Sequence, residues 1–270
     1  MPSINPAVIQ WIGQMADTDQ VVAYYAYQCL QEEVFRVSRP GERAAQTALA
    51  NALGEALVAQ AKPGQGAGSR GAASFRSNVF LTSAAKERTE PLYPRRVRSN
   101  LARLLGYLPV EAAVPPLAKA LNDLEGREAA RQALECNPSE RATDALIAAL
   151  NAAGPTFCVG VVNSLAKRKG ERVLAALRTA AGDPQTEVRI AALQALADFP
   201  EPSHDAILEK ATKAASARER RAAHVARARL ARTLRASGNP SAADRICRAI
   251  LASDAPEPQK KAGRFALGIS

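Results

Sequence analysis

Val97-Arg98-Ser99-Asn100-Leu101-Ala102-Arg103-Leu104-Leu105 is one copy of a pattern that the chain writes four times. Arg127 to Leu134, Phe157 to Leu165 and Val188 to Leu196 are the others. The closing leucines are Leu105, Leu134, Leu165 and Leu196, which stand 29, 31 and 31 residues apart. A fixed period of about 30 residues marks a stacked repeat array. Each copy ends at a breaker: Leu108-Pro109, Asn137-Pro138, Lys169-Gly170 or Phe199-Pro200. A second apolar stripe follows each breaker, such as Val114, Leu117 and Leu121, or Val173, Leu174 and Leu177. The unit is therefore helix–turn–helix. It cannot bury its apolar side alone and requires stacked neighbours.

Working outward, the other segments sort by charge and composition. Asn5 to Gln14 predicts a short amphipathic helix whose Trp11 covers the open end of the array. A longer helical pair follows, one helix through Val22, Tyr25, Ala26, Cys29, Leu30 and Phe35, the other over 41–61. Residues 62–93 contain Lys62-Pro63-Gly64-Gln65-Gly66-Ala67-Gly68-Ser69-Arg70-Gly71 and read as a flexible insertion. Residues 94–215 are the repeats, and 216–270 form a basic C-terminal helical unit. Among the 270 residues, 216–270 carry 12 Lys/Arg against 4 Asp/Glu, and 70–103 carry 8 against 2. Residues 104–215 carry 12 against 14, so the array is near neutral. Aromatic residues are only 4%, alanine and leucine dominate, and β-branched residues never alternate over a long run. Sheets are disfavoured and closely approaching helices favoured.

Pro184-Gln185-Thr186-Glu187-Val188-Arg189-Ile190-Ala191-Ala192-Leu193-Gln194-Ala195-Leu196 resembles a HEAT repeat, nearest the short bacterial HEAT-like type also seen in phycobilin lyases. Arg98 to Gly106 is similar to it too. The resemblance covers 94–215 well and 19–61 loosely. It implies an all-α fold, a right-handed α-solenoid of stacked antiparallel helical pairs. It says little of function, because such repeats serve scaffolds, adaptors and a few enzymes. The end of the chain departs from the pattern, since the step from Leu196 to Leu230 is 34. Ser237 to Ala243, with Ala249-Ile250-Leu251, is similar to the turn and second helix of a tetratricopeptide repeat. A TPR-like closing unit and a long terminal HEAT pair both remain open.

No residue set prescribes a reaction. Gly66 to Gly71 spells G-x-G-x-x-G, but no strand precedes it, as a dinucleotide site requires. Cys29, Cys136, Cys158 and Cys247 lie at no metal or redox spacing and read as small buried hydrophobes. His204 opens a predicted helix at which Ser203 or Asp205 serves as the cap. H-E-x-x-H, G-x-S-x-G and P-loop spacings are absent. No catalytic residue, cofactor or metal site is expected. The start Met1-Pro2-Ser3 shows no signal peptide and no run of 18 apolar residues occurs, so a reduced, cytoplasmic setting is expected.

The candidate contact surface is the stretch from Ala217 to Ala236, with seven arginines and no lysine. A guanidinium suits bidentate contact with carboxylate or phosphate. At about 100° per residue, Ala222, Ala223, Ala226, Leu230, Thr233 and Leu234 form the buried stripe. Arg221, His224, Arg232 and Arg235 then stand opposite. Arg218 and Arg229 flank one edge, and Arg220 and Arg227 the other. Arg95 and Arg96 at the loop end form a second basic pair, while Arg98 and Arg189 share a repeat position and are expected to bridge repeats. The resulting reading is a non-enzymatic scaffold that binds a protein with an acidic surface. The alternative is a polyanion- or nucleic-acid-binding module working through 217–236. A HEAT-like lyase or DNA glycosylase is the weaker third.

Overall fold

The computed structural model describes residues 4–60, 91–150 and 154–267. They form fourteen α-helices and no strand, with one isolated antiparallel bridge between Gln60 and Pro91. The Gly-rich segment, with its G-x-G-x-x-G and most of the 62–93 insertion, lies outside the described residues. The chain divides into two compact units, residues 1–142 and 143–270. Within each, helical pairs stack with first helix beside first helix, which is the α-solenoid arrangement.

The first unit holds α1 (Val8–Gln14), α2 (Gln20–Val37), α3 (Arg43–Leu57), α4 (Arg95–Gly106), α5 (Val114–Ala120) and α6 (Arg127–Cys136). Asp19 caps α2 by accepting from the Val21 N–H. Pro115 and Pro116 fall in the first turn of α5, where backbone N–H groups have no helical acceptor. First helix α4 packs against α2 and α6, and second helix α3 against α5. Leu30, Leu49, Leu53, Leu101, Leu105 and Leu134 are fully buried. Small residues set the spacing: a Cβ on Gly54 would stand 2.6 Å from Pro116 Cγ, and one on Gly106 3.1 Å from Ala133 Cα. Trp11 is half-buried, whereas Tyr25 and Phe35, placed on the apolar stripe by the sequence, are exposed.

The second unit begins within α7 (Glu140–Leu150) and continues through α8 (Pro155–Ala166), α9 (Glu171–Ala180), α10 (Thr186–Leu196), α11 (His204–Ala211), α12 (Ala217–Ala236), α13 (Pro240–Ala252) and α14 (Glu257–Leu267). First helices α8, α10 and α12 lie side by side. The turn before α9 passes through Gly170 at φ 113°, a left-handed conformation that glycine adopts without strain. Ser203 makes no side-chain cap to α11, contrary to the sequence expectation, and Asp205 is engaged elsewhere. His204 is instead fully buried, with Nδ1 3.1 Å from the Leu196 carbonyl. Cys158 and Cys247 are buried as expected, but Cys29 is only half-buried and Cys136 is exposed.

One device ties successive repeats. Arg98 on α4 donates from Nε to the Tyr93 carbonyl at 3.0 Å and pairs with Asp123 and Glu125 ahead of α6. Arg189 on α10 donates from Nη1 to the carbonyls of Asp183 at 2.8 Å and Pro184 at 3.0 Å. Its Nη2 reaches Glu219 of α12 at 2.6 Å. The arginine thus satisfies loop carbonyls and binds an acid of the next repeat, as its repeat position suggested.

Candidate functional site

The basic helix α12 begins at an N-cap: Ser216 accepts from the Glu219 N–H at 3.4 Å, while the Glu219 carboxylate turns to Arg189. Ala223, Ala226, Leu230 and Leu234 bury their side chains against Leu193, Leu208, Ala243 and Ile246. α12 ends where Asn239 N–H reaches back to the Leu234 carbonyl through Gly238 at φ 86°. Its position is fixed by α10 and α11 on one side and α13 on the other.

The arginines divide by partner. Arg218 faces Glu187 at 3.6 Å and Arg229 faces Asp198 at 2.8 Å, so two acids of α10 and its end answer that edge. Arg235 pairs with Asp244 of α13. Arg221 and Arg232 are exposed and have no acidic partner among the described residues. They are 11 residues apart, close to three helical turns, so they share one side about 16 Å apart. Val225, 45% exposed, lies between them.

Two assignments change. Arg220 donates from Nη1 to the carbonyls of Ala214 at 2.9 Å and Ala215 at 2.7 Å, six and five residues back. Arg189 does the same to Asp183 and Pro184. From Arg189 to Arg220 is 31 residues, so the period of 31 persists into α12. The residue in register with Leu196 is Arg227, not Leu230. Arg227 is 1% exposed and holds Asp205 with Nε at 2.7 Å and Nη2 at 3.1 Å. By the same register Glu219 replaces Val188 and His224 replaces Leu193. Both are 5% exposed.

His224 therefore belongs to the interior and not to the arginine face on which the helical wheel put it. Its Nδ1 has no hydrogen-bond partner. Burial pushes its pKa below the usual imidazole value, Asp254 opposes that and Arg227 adds to it. His204 is likewise pushed down, first by burial, with Glu201 and the Leu196 carbonyl opposing.

In the first unit, Arg95 is exposed at the start of α4. Arg96 is not free: Nη2 donates to the carbonyls of Met15 at 3.2 Å and Asp17 at 3.0 Å, which answers acceptors left open after α1. Sequence reasoning missed Glu219, Arg227 and Asp205. The available signals were the Ser216 N-cap with Glu219 three residues on and the continued count of 31.

Among the described residues no group of histidine, cysteine or carboxylate side chains could hold a metal ion. No helix there is long and apolar enough to cross a membrane.

Comparison with family models agrees with the repeat architecture. The family model for HEAT repeats matches residues 143–226, and that for the PBS lyase HEAT-like repeat matches residues 97–123. The chain thus carries HEAT repeats in both units, and the matched stretch includes the first half of α12. No curated protein matches the chain. Solved structures that resemble it include the complex of CpcE and CpcF of phycocyanin lyase from Nostoc sp., with 21% identity, a TM-score of 0.42, and 98% of this chain and 97% of that one covered. Human deoxyhypusine hydroxylase in complex with glycerol shares 15% identity at a TM-score of 0.36, with 97% and 94% covered. A designed armadillo repeat protein in complex with the peptide (KR)4 shares 16% at 0.31, with 97% and 98% covered.

Proposed function

We propose that this HEAT-repeat chain is a non-enzymatic adaptor that docks an acidic protein surface on the outward side of α12. One observation carries the reading: Arg221 and Arg232 are exposed on one side of the helix with no acidic partner among the described residues, whereas Arg218, Arg229 and Arg235 each have one. Val225 supplies an apolar contact between them. Arg245, Arg248 and Lys261 add exposed cations on α13 and α14. Planar guanidinium forks match carboxylates in pairs. Phosphates would satisfy the same forks, but α12 carries no aromatic ring on which a base could stack.

The test compares wild type with the double variant Arg221→Glu/Arg232→Glu. Both side chains are exposed, so folding should be unchanged by circular dichroism. Cross-linked proteins captured by wild type from the source cells should be lost with the variant, and mobility shifts on duplex and single-stranded DNA should show no binding at physiological salt. Nanomolar DNA binding with a steep salt slope would replace this reading with the polyanion one. Capture that survives the double substitution would remove α12 as the contact.

A further inference from the structure

The first unit carries a second surface, unrelated to α12. The chain has only five tyrosines and six phenylalanines, yet Tyr24, Tyr27 and Phe35 of α2 lie along one side of that helix beside Tyr107, just past α4. Tyr24 is 64% exposed, Phe35 58% and Tyr107 52%. Exposed aromatic rings cost solvation, and a contiguous row of them marks a contact site. The row has a paired end and a cleft end. Phe35 and Tyr107 approach with ring centroids 6.3 Å apart. Burial pushes the Tyr27 phenol up, with Tyr107 adding to the rise and Arg103 opposing it. At the other end, Tyr24, Tyr27, Met15, Arg96 and Asn100 line an open cleft of about 400 Å³. Asn100 Oδ1 accepts from Arg103 Nη1 at 3.3 Å, and its amide N–H groups have no acceptor among the described residues.

The charge of this strip has one sign on the α4 side. α4 contains four arginines and no acid. Arg98 is buried and paired with Asp123 and Glu125. Arg95, Arg96 and Arg103 have no carboxylate partner among the described residues, since Arg96 spends Nη2 on neutral carbonyls. Carboxylates of a ligand complement them. A nucleic-acid strand is a poorer fit. It places a phosphate at every nucleotide, whereas Asp17 and Asp19 stand exposed in the loop beside the cleft and would repel a continuous run.

We propose that the strip between α2 and α4 binds an extended protein segment in which apolar or aromatic side chains alternate with carboxylates. From Tyr24 to Phe35 is 11 residues of helix, about 16 Å, which an extended chain spans in about five residues. The rings take the apolar side chains, Arg103 takes a carboxylate, and the Asn100 amide meets the segment's backbone.

The experiment is selection on the full chain from a phage-displayed library of short random peptides. A synthetic copy of the most enriched peptide is then measured by fluorescence anisotropy. Enriched peptides should combine Phe, Tyr, Trp or Leu with Asp or Glu. Tyr24→Ala and Tyr107→Ala should each weaken binding about thirtyfold, as loss of a central aromatic contact does. Arg103→Glu should abolish it, while Tyr24→Phe and Arg221→Ala/Arg232→Ala should leave it unchanged. All are surface substitutions, and thermal melts verify folding. Four results would each overturn the proposal: no enrichment, peptides without acids, binding indifferent to Tyr24 and Tyr107, or displacement of the peptide by labelled oligothymidine. Retained binding by the α12 variant keeps this outcome separate from the fate of the α12 reading.

Discussion

Arg227 offers the most severe test of how α12 is held. It occupies a leucine position of the repeat, is 1% exposed, and gives two hydrogen bonds to Asp205, whose side chain is 20% exposed. Glu209 is the next carboxylate, 4.0 Å from Nη2. Arg227→Ala removes both bonds, leaves Asp205 largely desolvated without its counter-charge, and opens a cavity. Removing one member of a buried pair costs about 3–5 kcal/mol. At roughly 3–5 °C per kcal/mol for a unit of this size, the melting midpoint should fall about 9–25 °C. Asp205→Ala should cost a similar amount, because Arg227 then has only Glu209. The double variant Arg227→Leu/Asp205→Leu should return to within about 1 kcal/mol of wild type, since leucine is what the register carries at Leu196 and apolar replacement of a buried pair is often neutral. Urea titrations followed by circular dichroism supply the three free energies, and hydrogen exchange of the α11 and α12 amides localises the loss. Single costs below about 1 kcal/mol, or a double variant as weak as the sum of the singles, would refute the ion-pair account.

Further outcomes follow from the same packing. Gly54→Ala places a methyl 2.6 Å from the rigid Pro116 ring and should cost about 1–3 kcal/mol, while Gly13→Ala, with nothing within 4 Å, should gain up to about 1 kcal/mol in the same denaturation assay. His204 and His224 have folded pKa values below their unfolded value of about 6.5, so the unfolded chain binds more protons below that pH. Stability should therefore fall as pH drops from 7 to 5, and differential scanning calorimetry across that range reads it. His224→Leu restores the repeat's own residue and removes an unsatisfied buried Nδ1, so it should raise stability by about 1 kcal/mol and shrink the acid-side loss. An unchanged or steeper pH slope in that variant would place the titration elsewhere.

The frame was legible in the sequence because it is periodic. Leu105, Leu134, Leu165 and Leu196 keep count without reference to any contact, and the breakers Pro109, Pro138, Gly170 and Pro200 mark where each first helix stops. α12 was misread because a helical wheel assigns sides by polarity. That rule fails where a charge in the core is answered by a residue distant in sequence, as Glu219 is by Arg189 and Arg227 by Asp205. Counting 31 onward from Arg189 places Arg220 and keeps the register; searching for the next leucine loses it. The opposite error occurred on α2. Tyr25 and Phe35 looked like core by composition but are exposed, because Ala26, Leu30 and Val34 already fill the inner side.

These corrections bear on function because they change how much of the basic charge is free to bind. Seven arginines on one helix suggest a broad cationic surface. Yet Arg220 is spent on loop carbonyls, Arg227 on a buried acid, and Arg218, Arg229 and Arg235 on surface acids. The exposed ion pairs are each worth little and can reopen to a stronger ligand, whereas the buried Arg227 cannot leave without disrupting the repeat. What remains without an acidic partner on α12, among the described residues, is Arg221 and Arg232, set about three turns apart around an exposed valine. Under the proposed reading, two exposed guanidinium groups on one side of the helix suit a partner that presents two carboxylates better than a polyanion, whose affinity grows with the number of cations neutralising phosphates. The helix is thus poorly described by its net charge and better described by the geometry of its few unsatisfied donors.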